Sequence, residues 1–523
     1  MKIFLTYFSQ KDKQYILLAW IVIFSGSILR FTNLDETGLW SDELFTVSAA
    51  LNVGAGGAWL DFFPKVIQEL NFNDSFITWK AADNTPPLFE LMLIIWAKCF
   101  GYSDFSLRSL PAFLGSISPF VFFYGLRKNI GDCPALLGAA MLAFSPSAIV
   151  YSQEVRSYTL SLFLCTIATV RIVNHVLQSS FSKKSRGWSL SVWPDVGVFV
   201  LMAYSHYTGL FMAALLAGIY VFFVAIPQRR YFDILKFLTV PLLIAPWLWL
   251  SRKAFIFSSS GGYAWREYYP SEIISLMIPG TLNFFLVDSG AILLFIWLII
   301  FIASLTGYEK NKNWIFTFTD MKSQISDRKI MLAIFFIIAI FLLFFYGTYN
   351  SFTSKMWHPR YFLVAFPVLF CSFALLFSAS RLGKSFSIVF GTIIIALSLI
   401  GVFNYFNKDI STKEEYRAAS AYIAKNIKED SVILLGWAAN EAYYRHYLDK
   451  DLSKFGNKYA IEAVSTLDNV RQACIVYYKK DRHFYIFQHQ DQSPYFEELG
   501  KCAGIKKISS KKFRGIIVEE YTF

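Results

Sequence analysis

The chain has 523 residues, of which 55% are hydrophobic, 19% aromatic and only 16% charged. Soluble domains carry about 25% charged residues, so this composition excludes a soluble protein with a large core and points to a polytopic membrane protein. The formal charge of +12 is read as Lys and Arg held in cytoplasmic loops, with no nucleic acid as partner.

The N-terminus "MKIFLTYFSQKDKQ" has no cleavage-site pattern and leads into a long apolar run, the mark of a retained first span. A span needs roughly 20 mostly apolar residues. Eleven runs are expected to cross the bilayer: 15–32, 108–126, 134–150, 158–178, 190–205, 209–226, 234–251, 289–306, 330–349, 361–379 and 385–404. The stretch 86–100, "PPLFELMLIIWAKCF", is apolar but short, opens with two prolines and contains Glu90. Charge decides its placement. "RKNIGD", "SKKSRG", "QRRYFDILK", the 308–329 loop and "RLGK" are all basic. They share a side with the Lys-bearing N-terminus only if 86–100 does not cross, so it is expected to lie in the interface.

The opposite face then receives a long first loop, 33–107, several short loops and the tail from about 405. The tail is polar. It mixes helix-like pieces ("KEEYRAASAYIAKNIKE", "NEAYYRHYL", "SPYFEELGKC") with strand-like ones ("SVILLGW", "RHFYIFQ", "GIIVEEYTF"). The expected organisation is a transmembrane domain over 1–405, including the first outer loop, and a small α/β extracytoplasmic domain over 406–523. None of the six cysteines forms a CxxC pair; Cys474 and Cys502 lie in the tail, where a disulfide is open to them.

Conspicuous polar residues collect on the outer side. They are Asp42 and Glu43, Asp83, Glu154 and Arg156, His206 and Tyr207, Arg266 and Glu267, and Lys355, His358 and Arg360. Ionisable groups at span ends are costly unless they face water or each other, which makes them candidates for function. Carboxylates suit activation of an acceptor hydroxyl or amine; Arg, Lys and His suit a phosphate. Each also has a bland alternative. Ser41 could cap a helix with both acids in its first turn. Glu154 and Arg156 could pair across a plain turn, and Arg360 could be a snorkelling anchor. The histidines lack metal-ligand spacing and there is no phosphate-binding GxxxxGK[ST], so no metal site is expected.

The ordered set "LWSDELFT", "NTPPLFELMLIIWAKCFGYSDFSLRSLPAFLGS", "SPSAIVYSQEVRSYTL", "SHYTGLF" and "HPRYFLVAFPVLF" resembles the membrane glycosyltransferases of the GT-C fold. Within that fold it is similar to the branch of protein O-mannosyltransferases and the aminoarabinose transferase of lipid A. The resemblance covers roughly residues 15–380. It implies transfer of a sugar from a polyprenyl-phosphate carrier to a glycan, lipid or protein acceptor on the outer face, in a bacterial inner membrane. The Asp of an acidic motif in the first outer loop acts as base, a position matched by Asp42 with Glu43 beside it. Arg156, His358 and Arg360, with Lys355, Glu154, His206 and Tyr207 nearby, fall in the regions that bind donor phosphate and substrate. Many relatives have His before the double Pro, where this chain has Thr85.

Adjacent residues on a helix point about 100° apart, so Asp42 and Glu43 do not share the two roles of a retaining pair. One base and an inverting displacement are expected. No cofactor is required on this reading, although a divalent cation, Mg or Mn, could serve the phosphate. The alternatives are a surface-polysaccharide ligase or polymerase, and a transporter or flippase of lipid-linked sugar. The second is disfavoured because no related halves are visible.

Overall fold

The structure is a computed structural model. It describes residues 10–51, 76–83, 85–178, 191–259, 296–302, 327–353, 358–379, 383–407, 413–428, 431–436, 445–448, 460–464, 467–477, 483–489, 493–502 and 504–522. The chain divides into two compact units, each discontinuous in sequence. The first comprises 1–32, 83–89 and 108–407; the second comprises 33–82, 90–107 and 408–523. A division by chain order at 405 places the first long loop with the spans, whereas compactness groups most of that loop with the tail.

The helices follow in chain order: α1 (Gln10–Phe31), α2 (Ser41–Leu51), α3 (Phe76–Asp83), α4 (Leu88–Phe100), α5 (Asp104–Ile130), α6 (Asp132–Phe144), α7 (Pro146–Ser152), α8 (Tyr158–Gln178), α9 (Trp193–Ser205) and α10 (Tyr207–Tyr220). A π-turn at Val221–Ala225 leads to α11 (Tyr231–Phe237) and α12 (Thr239–Ser259). Next come α13 (Arg328–Thr353), a 3-10 helix at Pro359–Ala365, α14 (Phe366–Ala379) and α15 (Gly383–Asn407). Among the described residues eight helices are long and apolar enough to cross a membrane, nine if the bent pair α6–α7 forms one span. The chain is an integral membrane protein.

The structure refines three of the expected spans. The run 134–150 is broken. Pro146, which has no N–H to continue the ladder, starts α7 at a bend of 53° from α6. The run 190–205 yields the 13-residue α9, about 20 Å long at 1.5 Å per residue. The run 361–379 begins in 3-10 geometry, and 289–306 lies mostly outside the described residues. Helix α4 also has 13 residues, short of the roughly 30 Å of a hydrocarbon core. Its Glu90 is tolerated because Lys80 of α3 donates to it at 2.8 Å, with both side chains nearly sealed from solvent.

In the first unit α8 is central, packing on α9, α10, α14 and the 3-10 helix, while α6 packs on α1, α14 and α15. Helices α1, α12, α13 and α15 keep large apolar side chains exposed, among them Phe24, Leu242, Phe345 and Phe403. Such faces suit lipid, because a helix satisfies its own backbone hydrogen bonds. The α6–α7 break frees carbonyls that a buried arginine satisfies. Arg30, 0% exposed, donates to Ala143 O at 2.7 Å and Leu142 O at 3.0 Å. In return Gln153, just past α7, donates to Thr32 O at 2.7 Å and Leu29 O at 3.1 Å at the end of α1. Each helix end is thus closed by a side chain from the other.

In the second unit, the tail adds α16 (Tyr416–Asn426), β1 (Val432–Gly436), β2 (Ala460–Val464), α17 (Leu467–Tyr477), β3 (His483–His489), α18 (Ser493–Gly500), β4 (Lys506–Phe513) and β5 (Ile516–Thr522). The sheet order is β2-β1-β3-β5-β4. Strand β1 is parallel to β2 and β3, and β5 is antiparallel to β3 and β4. Val432, Leu434, Val470, Ala473, Leu499 and Tyr521 form its core. Cys474 and Cys502 form a disulfide there, with Cα atoms 6.1 Å apart.

Candidate active site

The expected site residues fall in both units. In the second unit the acidic pair opens α2, and the structure separates its members. Trp40 is the N-cap, since Leu44 N donates to Trp40 O at 2.9 Å. Glu43, three residues on, accepts from Trp40 N at 3.2 Å. This is the back half of a capping box, closed by an acid 0% exposed. Glu43 therefore has a structural task that the sequence reading did not assign to it. Asp42 is only half-buried and lies in the first turn, where the helix dipole favours a carboxylate.

Ser41, the expected cap, is instead the first helical residue. Its N–H and hydroxyl donate to Glu414 of the tail, at 3.4 and 3.0 Å. The capping task passes to a side chain 373 residues away in sequence.

In the first unit a second group assembles where α7 meets α8, α9 meets α10, and the 3-10 helix starts. Arg156 and Arg360 both lie in cation–π range of the buried Tyr158 ring, with guanidinium carbons 5.6 and 5.4 Å from its centroid. Arg360 is also 5.9 Å from the Tyr361 ring. The His206 ring packs at a tilt against both tyrosines, 5.8 Å from Tyr158 and 5.1 Å from Tyr361, which themselves lie 5.9 Å apart. Glu154 is buried in the same connection between α7 and α8.

The two histidines share a local design. His206 caps α10: its Nδ1 accepts from Thr208 N at 3.2 Å. His358 caps the 3-10 helix, its Nδ1 accepting from Arg360 N at 3.2 Å. A ring whose Nδ1 accepts carries its proton on Nε2 when neutral, so Nε2 is a donor without any need for a positive charge. Gly209 allows the tight turn at His206. A Cβ there would sit 2.4 Å from Met202 O.

Arg156, His206 and Arg360 are thus brought together, and His358 flanks Arg360. Tyr207 is not part of the group. It turns toward α12, with its hydroxyl 3.3 Å from Ser251 Oγ and its ring edge-on to Phe255. Asp83 in the first unit accepts from the Thr85 hydroxyl, so both are engaged in a local turn. Lys355, Arg266 and Glu267 lie outside the described residues. Sequence reasoning missed Tyr158 and Tyr361. The aromatic beside each singled-out charge, in "RSY" and "HPRY", is the signal that would have found them. Among the described residues no group of three or more His, Cys, Asp or Glu side chains is arranged to hold a metal ion.

No family model matches the chain, and no curated protein matches it. Among solved structures, it superposes on ArnT from Cupriavidus metallidurans in the apo state with a TM-score of 0.56, over 98% of both chains at 11% identity. A structure of ArnT from the same organism bound to undecaprenyl phosphate gives a TM-score of 0.42 over 97% of both chains. The Archaeoglobus fulgidus oligosaccharyltransferase tethered with an acceptor peptide gives 0.48 at 12% identity, over 94% of this chain and 71% of that chain. The likeness is one of fold. The chain has the GT-C membrane fold, with a small α/β domain formed by its tail.

Proposed function

We propose that the protein is a glycosyltransferase that moves a sugar from a polyprenyl-phosphate donor to a glycan, lipid or protein acceptor. The observation that carries this reading is the pair of guanidinium groups gathered on Tyr158 with a histidine donor beside them. Planar guanidinium forks suit phosphate oxygens, and the buried ring orders them before any anion arrives. The GT-C fold supports the same reading.

On this reading Arg156, Arg360 and His206 hold the donor phosphate and stabilise its developing charge, with His358 and Lys355 as further donors. The acceptor oxygen or nitrogen attacks the anomeric carbon. Its proton passes to the Asp42 carboxylate, the bond from that carbon to the phosphate oxygen breaks, and the carrier phosphate leaves. One displacement inverts the anomeric centre. Glu43, fixed in its cap, holds the turn that presents Asp42. The reaction requires no metal on this proposal, because the guanidinium groups supply the charge that Mg or Mn would otherwise provide. The chemistry lies on the outer face of a bacterial inner membrane, with the N-terminus in the cytoplasm. The disulfide in the tail suits that oxidising side.

The test is release of undecaprenyl phosphate by purified protein from a panel of undecaprenyl-phosphate hexoses and pentoses, with undecaprenyl-diphosphate oligosaccharides alongside. Turnover of the monophosphates, lost in Asp42→Asn and unaffected by EDTA, is expected. Turnover of the diphosphates alone would replace the reading with a ligase, and full activity of Asp42→Asn would remove the base.

A further inference from the structure

The tail reaches the acidic loop through four residues of one short segment, Lys413, Glu414, Glu415 and Arg417, and each contact lies within the second unit. Arg417 donates to Asp35 Oδ1 at 2.8 Å and to the carbonyls of Asp35 and Glu36 at 3.0 and 3.1 Å. Glu415 lies 3.3 Å from Gly38 N. At Gly38 a Cβ would meet Arg417 Cβ at 2.6 Å, so only glycine lets the two strands of chain approach this closely. Glu414 accepts twice from Ser41, and Lys413 stands 5.6 Å from the Trp40 ring. The order is antiparallel, with 417 on 35, 415 on 38, and 414 on 41.

The back of the segment is held as firmly. Glu415 N donates to Arg514 O at 2.9 Å, and Arg514 Nη2 returns to Glu415 Oε2 at 2.9 Å. Arg514 Nε also donates to Lys413 O. Arg514 and Gly515 form the two-residue tip of the β4–β5 hairpin. The rigid sheet therefore carries the segment, and the segment carries the loop that ends in Asp42.

We propose that Glu414 is a positioning residue. It fixes the first turn of α2 from outside the loop, and through that turn sets the geometry of Asp42. The proposal rests on Asp42 being the base. Its physical ground is that the first N–H groups of a helix have no intrahelical partner. Here one of them, with the neighbouring hydroxyl, is satisfied only while the tail is docked. The tail is then part of the catalytic apparatus as well as a surface domain.

Two readouts on the full-length protein test this. In Glu414→Ala, amide exchange in residues 39–46 should speed by about fivefold, the scale of a lost helix cap, while exchange over β1 and β5 stays unchanged. Glu414→Gln keeps the accepting oxygen and should restore slow exchange. In the undecaprenyl-phosphate sugar assay, Glu414→Ala should lower kcat by about tenfold with donor KM within about twofold, as for an interaction felt in the transition state. Added to Asp42→Asn it should cost nothing further, because both act through one group. Unchanged exchange in Glu414→Ala overturns the proposal alone. Losses that multiply in the double variant show that Glu414 does not act through Asp42, which also overturns it. A fully active Asp42→Asn overturns the base assignment and this proposal together.

Discussion

Two adjacent acids with the same charge have different work, and the difference is measurable. Glu43 is buried against Trp40 N, so Glu43→Gln keeps an acceptor and should lower stability by only a few tenths of a kcal/mol, whereas Glu43→Ala should cost about 1 kcal/mol. Asp42→Asn should leave the melting temperature within about 2 °C and lower kcat by at least about a hundredfold, the scale of a general base. Thermal denaturation and turnover measured side by side separate the two. In the tail, hydrogen bonds from Arg471 and Lys501 hold the Glu498 carboxyl below the usual glutamate range. A depressed folded-state pKa contributes stability above the unfolded value of about 4.3 and loses it as pH falls through the folded value. Tail unfolding by denaturant should therefore become easier below that pH, and Glu498→Gln should flatten this dependence. An unchanged slope in Glu498→Gln would show that the group is not responsible.

Among the elements, the bent pair α6–α7 depends most on a single side chain. Arg30 donates to three carbonyls in all, including Gly26 O at 2.9 Å on its own helix. Arg30→Met keeps much of the volume but strands two carbonyls of α6. It should destabilise the first unit by about 2–4 kcal/mol, read as a lower melting temperature in detergent. Arg30→Lys should recover little, because an ammonium cannot span both helix ends as the fork does. Apolar runs made α1, α5, α8, α13 and α15 legible from the sequence, since lipid demands them. The break at Ser145-Pro146 was legible in principle, from a proline in the middle of a run. Strand β4, "KKISSKKF", was not. Lysines protect the edge of a sheet and erase the alternation that marks a strand. The capping box of α2 was masked because Trp, with no side-chain acceptor, stands where Ser or Thr would announce it.

For the molecule as a whole, the charge pattern gives an expected orientation, and a labelling experiment tests it. With Cys99 and Cys133 replaced by Ser, an impermeant maleimide on intact cells should label Lys425→Cys in α16. It should not reach Lys128→Cys at the end of α5; both positions are exposed. Labelling of both, or of Lys128→Cys alone, would reverse the topology. The grouping of the first loop with the tail lay beyond sequence reasoning for a physical reason. Its contacts join residues such as Ser41 and Glu414, whose partnership has no local period: locally the serine looks like a helix cap and the glutamate like an ordinary solvated charge. The cation–aromatic group was half visible, as charges near span ends, while the tyrosines that organise it were given no role in a site.

The exchange of caps between Arg30 and Gln153 also bears on biogenesis. When α1 first leaves the insertion machinery, its terminal carbonyls lack the Gln153 amide and its guanidinium reaches only Gly26 O on its own helix. Both wait for a segment made more than a hundred residues later. The early helices cannot settle one at a time. Helix α1 and the pair α6–α7 should become protease-resistant in a single step once α7 has emerged, so in a nascent chain halted before Gln153 they would remain open to digestion while in one halted shortly after it they would not.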